Sequence, residues 1–373
     1  MQLKKIALQN FRNFTLADWD FTQTTLIHGA NGIGKTSIVE AIALLATADS
    51  FRAGKIEEMI RLGAELGRVQ GLFELDGKEA EEEDDENESV GDGENEKLKL
   101  EVMLTRGMVN GKRSQRRLFS VNDVRRRRKD FLQQLSVVVF RPEDLRLVEG
   151  SPGRRRNFLN TALSMFSWEY AYALQQYEQT LKRRNKMLQQ VRERQADRSA
   201  LNFWNINLVK HGEFLQQERS RLIDFIREVI FPFELNIEYL PSLISEERLN
   251  SHLDREIIVG HTLIGPHKDD FLLKFTIAEK KIEDLSLLAY GSRGQQRLGV
   301  LWLKIAELQF LHSKIGYQPI LLLDDIMSEL DDNSKAMVLG LLDQYQTVLT
   351  TADEGVVEEL KERIDGLSLI KLN

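Results

Sequence analysis

The chain has 373 residues, 42% of them hydrophobic, which is a length for two domains or one large domain with an insertion and an ordinary composition for a globular protein. It contains no cysteine, which excludes disulfides, zinc knuckles and thiol catalysis, and no apolar run approaches the roughly 18 residues that span a bilayer. The formal net charge of −7 argues against a polyanionic partner only until its distribution is read.

The opening MQLKKIALQNFRNF lacks the apolar segment and small-residue site of a secretory signal, so a cytoplasmic protein is expected. Residues 2–8 and 24–28 have the pattern of strands, and the second runs directly into LIHGANGIGKTSIVEAI, residues 26–42. A helix is expected over 35–47, with Ile38, Ala41, Ile42 and Leu45 on one face. Residues 69–76 and 98–105 read as a hairpin. Between them, residues 78–97 carry eleven acids and two lysines, a local −9, too polar to bury. The rest of the chain therefore holds +2, and residues 106–156 hold fifteen Arg or Lys against five acids, a local +10. LSVVVF, residues 135–140, reads as a buried strand.

From 157 to 194, Leu159, Leu163, Phe166, Tyr170, Leu174, Tyr177, Leu181, Leu188 and Val191 recur at steps of three, four and seven, which predicts one long amphipathic helix. A polar stretch at 195–200 and a second helical segment at 204–230 predict an antiparallel hairpin, closed by Pro232 and Pro241, with strands resuming near Glu256. These features divide the chain into 1–148, 149–254 and 255–373, with the middle segment predominantly helical.

Gly29, Ala30, Asn31, Gly32, Ile33, Gly34, Lys35 and Thr36 fit G-x-x-x-x-G-K-[ST]. The glycines let backbone N–H groups surround phosphate oxygens, and the following helix adds its N-terminal dipole. Lys35 then reaches the β- and γ-phosphates of ATP, and the Thr36 hydroxyl ligates Mg²⁺. A P-loop needs a second acid, and QPILLLDDIMSELDD supplies a strand ending in Asp324 and Asp325. Asp324 is expected to hold Mg²⁺ and Asp325 to polarise an attacking water. Further along, GSRGQQRLGVLWLKIAELQFL begins a helix at Ser292. This serine either caps the helix or offers its hydroxyl and the helix dipole to a phosphate. The basic clusters are either a solvated rim or a surface for phosphate backbone. His267 is expected to be structural.

Glycine loop, serine–glycine helix and acidic strand end, in that order, resemble the ATP-binding-cassette class, and the absence of N-K-x-D speaks against a GTPase. Within that class the chain resembles the RecF family of recombination mediators nearly end to end. The resemblance rests on FRNF (residues 11–14), GANGIGKTSIVEAIALLATADSFR, FRPEDLRLVEGSPGRRRNFLN, GPHKDD, GSRGQQRL and LLLDDIMSELDD.

It implies an α/β, ABC-type P-loop ATPase head built from 1–148 and 255–373, with 149–254 as an inserted α-helical arm, Arg12 and Asn13 at the ATP, and Lys35 and Asp325 as the catalytic pair. Ser292, Arg293, Gly294 and Gln295 form a signature acting in trans, with Ser328 and Asp331 in the D-loop. It also implies an ATP-dependent homodimer with weak DNA-dependent ATPase activity, serving repair and replication at single-strand/duplex junctions. The implied partners are mediators of the RecR/RecO type and, indirectly, RecA. The DNA contacts are then assigned to Arg113, Arg116, Arg125, Arg126, Arg127, Arg128, Arg154 and Arg155.

Two departures stand out: the acidic insertion, and the lack of an identifiable glutamine after the nucleotide helix, near which only Glu143 or Asp144 offers a substitute. A chromosome-maintenance ATPase with long coiled coils is disfavoured, because about 110 residues allow helices of only roughly 55–60 Å each way at 1.5 Å per residue. A non-hydrolysing, ATP-stabilised DNA-binding protein is the alternative of another class.

Overall fold

A five-stranded parallel sheet carries the glycine loop, in the order Val137–Phe140, Ile320–Asp324, Thr347–Thr351, Thr24–His28 and Ser368–Lys371. In this computed structural model, residues 1–75, 97–277 and 282–373 are described. The three central strands are buried at every position, so none shows the alternation of a half-covered strand, and Ile320–Asp324 reads as a continuous apolar run.

Six antiparallel strands make a second sheet, ordered Phe14–Asp20, Gln2–Phe11, Leu66–Glu74, Lys97–Thr105, Arg117–Val121 and Val124–Arg126. Leu66–Glu74 and Lys97–Thr105 are the expected hairpin, paired from Leu66↔Thr105 to Glu74↔Lys97. The acidic run that joins them lies outside the described residues, apart from Lys97. The helix Lys35–Thr47 packs on strands of both sheets. Eleven of its 13 residues are therefore buried, where a surface helix would bury a single stripe.

By packing, the chain divides into two units, Met1–Pro142 with Ile315–Asn373, and Glu143–Lys314. The second unit holds the helices Pro152–Phe166, Trp168–Arg192, Asn202–Glu228 and Glu246–Val259, the antiparallel sheet Leu235–Leu240, Asp270–Ile277 and Ile282–Ser286, and the helix that starts at Arg293. No described helix is long and apolar enough to cross a membrane.

Two sequence expectations fail here. The single helix over 157–194 is two helices, broken at Ser167. That residue is extended (φ −115°, ψ 109°), and its side chain accepts from the Tyr170 N–H as an N-cap. A one-residue break barely shifts the apolar phase, so periodicity did not reveal it. Strands do not resume near Glu256, which lies in a helix capped by Ser245 and ended by Gly260 in the left-handed conformation (φ 73°). The hairpin is antiparallel as expected: Arg184 bonds Asn205, and Tyr170 bonds Arg219.

Buried ion pairs fasten this unit. Arg184 and Glu256 are both fully buried and 2.7 Å apart, and the guanidinium also donates to Thr262. Asp269, fully buried, accepts from Arg219 (2.8 Å), Tyr239 (2.5 Å), Gln216 (2.8 Å) and the Ser242 N–H (2.8 Å). GPHKDD is thus the fastening point of the arm.

His267, in the same segment, lies 2.8 Å from the Tyr177 hydroxyl through Nδ1 and 3.2 Å from the Thr262 carbonyl through Nε2, as a neutral ring that donates from Nε2. Burial pushes its pKa down to about 4. The unfolded ring, near 6.5, binds its proton first as pH falls, so stability drops between pH 6.5 and 4, by up to about 1.4 kcal/mol per pH unit. Urea unfolding should show a steeper loss for wild type than for His267→Gln across this window. Parallel pH profiles would mean that the ring titrates freely in the native state.

Candidate nucleotide site

The loop from Gly29 to Lys35 leaves the parallel sheet at the buried His28 and returns as the helix Lys35–Thr47. Gly34 holds φ 120°, and a Cβ there would sit 2.6 Å from Phe14 Cζ and 2.8 Å from Asn13 Nδ2. No side chain is tolerated at that turn. At Gly29 a Cβ would meet the Leu372 carbonyl at 2.8 Å. Lys35 is buried and donates from Nζ to the carbonyls of Gly29 (2.7 Å) and Ala30 (3.1 Å). Its ammonium is thereby held inside the loop's curl.

Asn13 and Arg12, in the turn after the strand Gln2–Phe11, brace the loop and its helix. Asn13 Nδ2 donates to the Ile33 carbonyl at 2.7 Å. Arg12 grips Glu40 with two bonds, Nε to Oε2 at 2.7 Å and Nη2 to Oε1 at 2.5 Å, and donates to the Glu58 carbonyl at 2.7 Å. Glu40 is completely buried within the loop helix and also accepts from the Ser50 hydroxyl. Arg12, Asn13, Gly32, Ser37 and Arg52 line an open cavity of about 590 Å³ beside the loop. Phe51 and Arg141, from two of the quoted motifs, meet with the guanidinium 4.4 Å from the ring centre, a cation–π contact.

The acidic strand end comes directly to the loop. Asp324 Oδ1 accepts from the hydroxyls of Thr36 (3.0 Å) and Thr350 (2.9 Å). Burial pushes the Asp324 carboxyl up from the usual carboxylate range, and the two threonine hydroxyls pull it back. Its neighbour Asp325 is more exposed and adopts φ 54°, a costly conformation for a residue with a Cβ. Among the described residues no cluster of three or more His, Asp or Glu is placed to hold a metal. Thr36 and Asp324 instead supply two hard oxygen donors side by side, the minimal protein share of a Mg²⁺ site completed by phosphate and water.

Downstream, Ser328 Oγ donates to the Asp325 carbonyl at 3.2 Å, and Asp331 caps the helix Asp332–Leu342 through the Ser334 N–H at 2.8 Å. In the second unit, Ser292 Oγ accepts from the Gln295 N–H (3.2 Å) while Gln295 Oε1 accepts from the Ser292 N–H (2.8 Å). This is a reciprocal capping box, with Ser292 and Arg293 exposed at the start of Arg293–Ile315.

Comparison with known proteins gives this geometry a lineage. The family model described as RecF/RecN/SMC N terminal domain matches residues 2–370. DNA replication and repair protein RecF of Bacillus thuringiensis (strain Al Hakam) is 33% identical over 97% of this chain and 95% of its own length. The chain belongs to the RecF family. RecF of Bacillus cereus (strain G9842) is 32% identical over 96% of this chain and 94% of its own. A structure described as the recombination mediator protein RecF-ATP in the RecFOR pathway is 29% identical, with a TM-score of 0.78 over 95% of this chain and 92% of that one. A second, described as RecF-ATPrS in the same pathway, is 28% identical, with a TM-score of 0.82 over 100% and 96%. The fold is accordingly the α/β P-loop head of ABC type expected from the motif order.

The RecF-like site brings together Gly29 to Thr36, Arg12, Asn13, Asp324 and Asp325. Of the arginines assigned to DNA, Arg113, Arg116 and residues 125–128 are exposed on the first unit, where Arg116 pairs with Glu57 and Arg128 with Asp49, each at 2.6 Å. Arg154 is exposed in the second unit. Arg155 is a correction: it is buried, pairs with Asp270 at 2.6 and 2.9 Å, and donates to the Gly150 carbonyl. Its guanidinium is spent inside the protein. A run of three arginines at a helix start looked uniform, and only packing separates the inward one.

Two residues escaped sequence reasoning. Glu40 was visible as the one charge in an otherwise apolar helix core, and Thr350 as a hydroxyl ending a buried strand. Arg12→Met would leave Glu40 buried without its cation, a loss of about 3–5 kcal/mol. Urea unfolding measures it, and the double variant with Glu40→Met should recover most of the loss. A single variant within 1 kcal/mol of wild type would show that the Arg12–Glu40 pair contributes little to stability.

Proposed function

We propose that this chain is an ATP-dependent, DNA-binding recombination mediator: a weak, DNA-stimulated ATPase of the cytoplasm that dimerises on ATP and marks single-strand/duplex junctions at gaps. The observation that carries the reading is the convergence of Lys35, Thr36, Asp324 and Asp325 at one loop, with the Thr36 and Asp324 oxygens in hydrogen-bond contact. In functional terms, residues 1–148 and 255–373 make the head and 149–254 the arm. Known RecF structures described with ATP support the choice of nucleotide, and Mg²⁺ suits the donor pair.

The chain's own groups divide the work. The loop amides and the Lys35 ammonium bind and orient the phosphates. Thr36 and Asp324 would hold Mg²⁺, which would supply positive charge against the phosphates. Asp325, with its backbone at φ 54°, would orient a water and draw its proton. Arg12 and Asn13, braced by Glu40, flank the nucleotide. Ser292, Arg293, Gly294 and Gln295 serve the partner's nucleotide, with Ser328 and Asp331 at the joint. In this chain the capped Ser292 start is the surface that ATP would recruit, so binding energy across the joint exists only with ATP. Mediators of the RecR/RecO type, and RecA through them, are the expected partners. Arg113, Arg116, residues 125–128 and Arg154 then track the DNA backbone by charge.

Ser292→Arg fills the joint and should abolish ATP-dependent dimers in sedimentation, while ATP binding by the single chain stays within about threefold. Ser292→Ala, which loses the hydroxyl that caps the helix and would meet the partner's phosphate, should cost about 1 kcal/mol of helix stability and weaken ATP-dependent dimers without abolishing them. Dimers of Ser292→Arg with ATP equal to wild type would reduce Ser292 to a helix cap and remove the clamp.

Neutralising residues 125–128 should weaken binding to all DNA sequences alike and lower the slope of log affinity against log salt by about 1 per lost phosphate contact. An unchanged slope in a fluorescence-anisotropy titration would return these arginines to a solvated rim.

A further inference from the structure

The strand Thr347–Thr351 lies between the two strands that carry the site, with Thr350 registered against Asp324 on one side and Ile27 on the other. Thr350 is 1% exposed. Its hydroxyl is shared by the two acids: Oγ1 donates to Asp324 Oδ1 at 2.9 Å and accepts from the Asp325 N–H at 3.0 Å. A hydroxyl has one proton, and an amide N–H can only donate, so the direction is fixed. The chain of bonds runs from the Asp325 amide through Thr350 to the Asp324 carboxylate, where the Thr36 hydroxyl also arrives at 3.0 Å. The same Asp325 amide donates to the Thr350 carbonyl at 3.2 Å. Two bonds from one residue therefore hold the amide of a backbone at φ 54°, in a buried setting where a chain of bonds reinforces itself.

We infer that Thr350 is a positioning residue of the nucleotide site, whose single hydroxyl fixes the metal-side carboxylate of Asp324 and the water-side carboxylate of Asp325 in one relative orientation. This rests on the ATPase reading above. Thr36 ties Asp324 to the phosphate loop and Thr350 ties it to Asp325, so the carboxylate is oriented from both sides. Removal of the Thr350 hydroxyl leaves the P-loop, its lysine and the Thr36 bond intact. It leaves the Asp325 amide with the longer bond to the Thr350 carbonyl alone, which loosens the turn, and it uncouples the two acids. Nucleotide binding should then survive while turnover falls, a split that a general packing defect does not produce.

Thr350→Val keeps the shape and deletes the hydroxyl, Thr350→Ala deletes it without branching, and Thr350→Ser restores it without the methyl. Three readouts apply: phosphate release with Mg²⁺ and ATP, affinity for a fluorescent ATP analogue, and amide hydrogen exchange of residues 320–330 in nucleotide-free protein. Val and Ala should lower kcat at least tenfold, leave nucleotide affinity within threefold and speed exchange at the Asp325 amide. Ser should stay within threefold of wild type in all three. The inference is overturned if Val keeps wild-type kcat and exchange, or if Ser loses as much as Val, which would mark the methyl contact as the cause. A wild-type protein that neither binds nor hydrolyses ATP would refute the ATPase reading instead. Even then, unchanged exchange at Asp325 in Val and Ala would refute the positioning role on its own.

Discussion

Glu40 is a carboxylate at the centre of a helix covered by two sheets, with no exposure to water. An ion in such a place persists only with a matched partner, because removing it from water costs several kcal/mol. The partner is Arg12, which donates through two nitrogens in the bidentate geometry that makes arginine suited to this task. The arrangement of the first unit follows from this pair. Arg12 sits at the bend between strands Gln2–Phe11 and Phe14–Asp20 with φ 52°, so pairing fixes the bend. The next residue, Asn13, is thereby carried onto the Ile33 carbonyl of the glycine loop. The antiparallel sheet thus steers the phosphate loop through one buried ion pair and one amide.

The second unit uses the same device more heavily. Arg184 with Glu256 and Arg219 with Asp269 are buried pairs whose remaining donors and acceptors are filled by Asn205, Thr262, Tyr239, Gln216 and Asn160. A long two-helix hairpin could slide by a turn along an apolar seam without much cost. A guanidinium that is held by a carboxylate outside the hairpin and also bonded across it, as Arg184 is to Asn205 and Arg219 to Tyr170, permits one register. The polar residues in the middle of these helices look misplaced in the sequence and are the ones that define the alignment.

What was legible in the sequence follows a physical division. The glycine loop, the strands beside it and the helix over 35–47 were readable because short-range rules fix them: glycine where no Cβ fits, lysine and threonine at the helix start, apolar runs in a covered sheet. The hairpin of helices was readable from its period, but not the break at Ser167, since an N-cap acts on one residue and leaves the period nearly in phase. The helix around Glu256 carries local signals, the Ser245 cap and the Gly260 end, that outweigh a strand reading; what no local pattern records is the pairing of Glu256 with Arg184, 72 residues distant in sequence. Arg155 was misjudged for want of such a pattern: its inward turn toward Asp270 spans 115 residues. Ser292 was read both as a cap and as a phosphate ligand, and the capping box with Gln295 gives the first reading a geometry.

The order of strands in the parallel sheet has a consequence for how the protein is made. Thr24–His28, which ends at the glycine loop, is flanked by Thr347–Thr351 and Ser368–Lys371, and Leu3 is tied to Gln346 across 343 residues. At roughly 5–20 residues per second on the ribosome, this strand, buried in the finished fold, waits about 20–70 s before its neighbours exist. During that interval the helical unit, whose contacts are closer in sequence, has time to close, while the sheet edge that will bear the nucleotide is open to the wrong strands. Maturation of the head is therefore a late event, set by the pace of translation and by whatever shields a naked strand in the meantime.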